Sequence, residues 1–69
     1  MANTVTSVER KTIYARALSI SKGRWQDPDA VNVASVTEQL TEEFDISLDR
    51  ARRAAARAKR VWRGELRKR

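Results

Sequence analysis

From Leu48 to Arg63 the chain runs sixteen residues without a glycine or a proline, and Ala, Arg, Lys and Leu make up most of them. These residues have the best intrinsic helix propensities, so the stretch predicts the strongest helix of the chain. Ser47 suits its N-cap, where a hydroxyl accepts from an orphan amide, and Asp49 falls in the first turn near the positive end of the helix dipole. At about 100° per residue, Leu48, Ala51, Ala55, Ala58, Trp62 and Leu66 gather within one third of the circumference, which predicts the face turned to the core. Small residues in that seam let a neighbouring helix approach closely. Arg50, Arg53, Arg57 and Arg60 fall on the opposite side, with Arg52, Lys59 and Arg63 along one flank. The fold must therefore accommodate a long helix that is narrow on its inner face and covered with guanidinium on its outer face.

The remainder of the chain has room for two shorter helices. Of 69 residues, 41% are hydrophobic. Ten of these are Ala, leaving 18 large apolar side chains for an interior. That interior suits three closely packed helices in one domain and not a sandwich or barrel. Met1 to Val5 has no periodicity and reads as a loose arm. Thr6 and Glu9 match a capping box, so a first helix is expected from about Ser7. Ile13, Tyr14, Ala17, Leu18 and Ser21 keep helical spacing, and Lys22 with Gly23 is the expected end. Trp25, in the loop from Gly23 to Asp29, reads as a plug over the small core. Asp27 and Pro28 suit an N-cap and first helical residue, whereas Val31-Asn32-Val33 alternates like a short strand. Ser35 and Glu38 repeat the capping-box pattern and predict a second helix from Val36 to Phe44, with Val36, Leu40 and Phe44 on one face. The expected organisation is an arm over residues 1–6, one all-α domain over 7–66 and a basic tail over 67–69.

Charge and the missing residue types narrow the function classes. The chain has no Cys and no His, which excludes thiol nucleophiles, imidazole bases, disulfides and the usual zinc clusters. A Gly-rich phosphate loop and a Gly-centred serine motif are missing too, so no enzyme and no cofactor is expected. The uncharged run from Ala30 to Thr37 is far too short to span a bilayer. The N-terminal residues carry neither the basic nor the apolar part of a signal peptide, and the expectation is a cytoplasmic protein without a membrane partner. Net charge is +6, but it is unevenly placed. Residues 1–47 carry five basic and seven acidic groups, and residues 48–69 carry ten basic and two acidic ones. Such asymmetry points to a polyanion, most often nucleic acid.

Two resemblances sharpen that expectation. Val33-Ala34-Ser35-Val36-Thr37-Glu38-Gln39-Leu40 followed by Phe44-Asp45-Ile46-Ser47-Leu48-Asp49-Arg50-Ala51-Arg52 resembles the bihelical core of helix-turn-helix DNA-binding domains, with Ala34, Leu40, Ile46 and Ser47 at the family's small, anchoring and turn positions. Thr41 to Asp45 makes it a variant with a longer turn and no glycine. The resemblance implies a third helix docked in the major groove of double-stranded DNA, in a transcriptional regulator or accessory DNA-binding factor that is nucleoid-associated and acts as a homodimer or within a larger complex. On that reading Arg50, Arg53 and Arg57 lie nearest the bases and Arg52, Lys59, Arg60 and Arg63 on phosphates. Ser35 and Thr37 add contacts to one phosphate at the start of the second helix. The stretch from Ala51 to Arg63 is also similar to the arginine-rich RNA-binding helices of phage antitermination peptides, in which Trp62 would be the stacking aromatic. A third reading makes the basic helix a protein adaptor for an acidic partner.

Overall fold

The computed structural model describes residues 10–68. It is a small all-α domain of three helices, α1 (Arg10–Arg24), α2 (Val33–Glu43) and α3 (Leu48–Arg67), with a single 3-10 turn, Pro28–Ala30, between α1 and α2. The Thr6–Glu9 capping box, the start near Ser7, the 1–6 arm and Arg69 lie outside the described residues. Arg67, assigned by sequence to the tail, still belongs to α3, and Lys68 caps it.

Helix α1 runs past the expected stop. Gly23 is helical, no described residue has a positive φ, and the Trp25 amide still donates to the Ser21 carbonyl at 3.0 Å. Lys22 and Arg24 occupy the last turn, where cations complement the negative end of the dipole. What ends the helix is the next motif. A residue before proline is driven out of the α region, and Asp27 sits at φ −146° and ψ 157°. Its Oδ1 accepts from the Ala30 amide at 3.1 Å, so Asp27 and Pro28 act as cap and first residue of the 3-10 turn.

Helix α2 starts earlier than the spacing of Ser35 and Glu38 predicts. Asn32 is the N-cap, accepting through Oδ1 from the Ser35 amide at 3.2 Å. Asn is at least as good a cap as Ser, and starting here brings Val33 onto the stripe formed by Val36 and Leu40. Val31-Asn32-Val33 is consequently not a strand. The helix ends at Glu43, with Phe44 as an extended C-cap. Because Thr41 to Glu43 remain helical, the connection to α3 is only Phe44–Ser47. This corrects the longer turn expected from sequence and is compatible with a helix-turn-helix fold. Ser47 caps α3 as expected, its Oγ accepting from the Arg50 amide at 3.2 Å.

The core lies along the inner seam of α3. Ala51, Ala55 and Ala58 are fully buried and Trp62 nearly so, packed against Ile13, Ala17 and Ile20 of α1, Val36 and Leu40 of α2, and Val31 of the connection. Leu48 and Leu66 do not join them, being 66% and 45% exposed. Both have the right phase but sit in the first and last turns of a 20-residue helix. Trp25 is half-buried against the cluster, in keeping with a plug, and Arg24 lies 5.0 Å from its ring centroid. Two buried hydroxyls are satisfied within their own helices: Ser21 donates to the Ala17 carbonyl at 2.8 Å and Thr37 to the Val33 carbonyl at 2.7 Å.

Candidate nucleic-acid interface

Because the inner seam of α3 is held by the core, its remaining circumference faces outward and carries most of the basic side chains expected there. Arg53, Arg57 and Arg60 are all exposed on the side away from Ala51, Ala55 and Ala58. Arg53 is held 3.1 Å from Asp49 one turn earlier, and Arg52 approaches the same carboxylate at 3.8 Å. With one carboxylate between two guanidinium groups and all three side chains solvated, these pairs are weak and readily exchanged for another anion. The Arg57 guanidinium lies 5.5 Å from the centroid of the Tyr14 ring, which holds it against α1 without neutralising it. Arg60 makes no ion pair or hydrogen bond among the described residues.

The flank of α3 that sequence assigns to phosphates is occupied otherwise. Lys59 is half-buried and its Nζ donates to the Val31 carbonyl at 3.2 Å, tying α3 to the segment that leads into α2. Arg63 pairs with Asp29 of the 3-10 turn at 2.8 Å. Lys59 fastens the fold, so the phosphate role expected of it competes with an internal partner, whereas the Arg63–Asp29 pair is solvated and, like the pairs at Asp49, contributes little. Thr37 is only 4% exposed and its hydroxyl is already spent within α2, so it has no surface to offer a phosphate. Ser35 is half-buried and its amide is taken by the Asn32 cap, which removes the anion contact expected of that amide.

A concave part of the interface was not legible in the sequence. Between α1 and the first half of α3 lies a cleft of about 600 Å³. Arg10 and Lys11 from α1 face Arg50, Arg53 and Arg57 from α3 across it, with Asp49 as the one acidic group among the described residues on its wall. Its floor includes Ile13, Tyr14 and Ala54. Periodicity along one helix cannot reveal a cleft between two, and Arg10 and Lys11 have no distinguishing pattern of their own. The sequence signal that existed was only their sign, two adjacent cations in a half of the chain that is otherwise acidic.

Away from this cleft, α1 and α2 are joined by Arg16, whose Nε and Nη2 donate to the two carboxylate oxygens of Glu43 at 2.7 and 2.9 Å. Gln39 Nε2 donates to the same carboxylate at 3.0 Å. The hydrogen bond from Arg16, with that from Gln39, lowers the Glu43 carboxyl to about 2, and the same pairing raises the Arg16 guanidinium. Lys22 reaches Glu65 of α3 at 3.2 Å. The cations of α1 are therefore divided between fastening the helices and lining the cleft. Among the described residues no helix is long and apolar enough to cross a membrane. No protein-family model, curated protein or solved structure matches the chain.

Proposed function

We propose that the protein is a small DNA-binding factor that docks the outer face of α3 in the major groove of duplex DNA, as a transcriptional regulator or an accessory factor associated with the nucleoid. The observation that carries this reading is the exposure of Arg53, Arg57 and Arg60 on one side of a helix whose other side is fully committed to the core. A helix is about 10–12 Å across and enters a major groove about 12 Å wide, and guanidinium forks match both guanine edges and phosphates. In this reading Arg50, Arg53 and Arg57 approach the bases, Arg52 and Arg60 hold phosphates, and a second copy on a two-fold site supplies the affinity that one small reader lacks. The burial of Trp62 weighs against the RNA alternative, because a ring sealed in the core is not available for base stacking.

Gel-shift titration of the purified protein with duplex DNA at increasing salt tests the proposal. If about five phosphates are neutralised, log affinity should fall against log salt with a slope of about −4.5. A slope near zero, or no shift at low salt, overturns it. Binding that is competed equally by an acidic polypeptide favours the protein-adaptor reading instead.

A further inference from the structure

We propose that one strand of the bound duplex runs through the cleft between α1 and α3, so that the interface is one-sided and includes Arg10 and Lys11. This inference rests on the reading of α3 as the DNA-docking helix and deepens it. A helix lying in a groove has a phosphate backbone on each side of it, and the two flanks of α3 differ in what they can offer those backbones. On the flank toward the 3-10 turn, Lys59 is engaged by the Val31 carbonyl and Arg63 by Asp29. On the flank toward α1, five basic side chains line one concavity, with Asp49 as the one carboxylate among the described residues that line it. A concave wall of one sign focuses its field inward and raises the local concentration of an anion above what the same charges achieve on a convex surface.

The shape agrees with an extended polyanion and not with a buried ion. The cleft's cationic side chains come from two separate helices, so Arg10 and Lys11 hold the phosphates of a strand whose bases Arg50, Arg53 and Arg57 approach from the opposite wall. Tyr14 and Ala54, half-buried on its lining, offer apolar contact to deoxyribose between successive phosphates. Tyr14 also holds Arg57 at the rim through its ring face, 5.5 Å from the centroid, which presents that guanidinium to the cleft without an opposing carboxylate.

The test compares the parent chain with Arg10→Gln/Lys11→Gln and with Arg63→Gln in salt-dependent duplex binding. Both α1 positions are exposed, so the double variant should melt as the parent does. Its salt slope should be shallower by about 1.8, at about 0.9 per lost phosphate contact, with loss of affinity equal for all sequences. Arg63→Gln should flatten the slope less than the double variant does, because Asp29 offsets its charge in the free protein. A parent that binds with a steep slope retained in the double variant overturns the cleft and leaves the reading of α3 standing, whereas a parent with no salt-dependent binding overturns both. A measurement on the unaltered protein guards against a folding defect: on adding duplex DNA, the backbone amide resonances of Ile13, Tyr14 and Ala54 should shift. Shifts confined to the outer face around Ala56 and Arg60 overturn the proposal.

Discussion

The junctions that α3 makes with the other two helices and the junction between α1 and α2 are built on different physics. Along α3 the contact is apolar and close, with Ala51, Ala55 and Ala58 fully buried and Trp62 closing the far end. Between α1 and α2 contact is sparser and is bridged at the surface by the bidentate pair of Arg16 and Glu43, with Gln39 as a third partner. The first kind of junction is insensitive to pH and strongly sensitive to volume. The second reverses both properties. A domain of this size thus places its stability on the inner seam of the helix that also carries its candidate binding face, and leaves Arg53, Arg57 and Arg60 exposed on the other side.

The comparison is broken most directly at Trp62. Truncation to Ala should cost about 3–5 kcal/mol, a large part of the total stability of a small domain, and circular dichroism should show the melting transition lost or moved far down. An unchanged melting temperature would mean that α3 is not held by its inner seam. A smaller effect in the opposite steric direction is expected at Ala55, where Leu inserts volume between helices that already touch. Ala55→Leu should destabilise by about 1–3 kcal/mol in urea titration. If it stabilises instead, the seam is loosely packed and the contrast with the α1–α2 junction disappears.

The smallest effect belongs to Glu43, and its signature is pH. Its carboxyl is held down to about 2 in the folded chain, so the ionised form is favoured by folding. That contribution is fully present above the ordinary carboxylate range and is lost as pH falls through that range toward about 2. Glu43→Gln should change the melting temperature little at neutral pH, because an exposed pair contributes little. It should, however, flatten the decline of melting temperature on acidification. Parallel acid limbs for the variant and the parent would show that the Arg16 pair does not link folding to pH.

What was legible in the sequence follows from how local each feature is. The middle of the α3 seam, from Ala51 to Trp62, and its Ser47 cap depend on residues within one or two turns of each other, and composition and spacing were enough to determine them. The local pattern did not decide the Asp27–Pro28 start of the 3-10 turn against a short strand at Val31-Asn32-Val33. The outward placement of Arg53, Arg57 and Arg60 follows from the same periodicity once the inner face is known. The Asn32 cap of α2 was missed, because Ser35 and Glu38 match a capping box three residues later. Packing of Val33 beside Val36 and Leu40 decided for the earlier start. The exposure of Leu48 and Leu66 at the two ends of α3 was not legible either, because a phase calculation on α3 does not contain where its neighbours pack. Tertiary structure alone also sorted the cations, because a guanidinium or ammonium group serves the fold or a ligand according to which acceptor lies within reach. Val31 and Asp29 are within reach of Lys59 and Arg63, whereas Arg10 and Lys11 are brought opposite Arg50 and Arg53 only when α1 closes on α3.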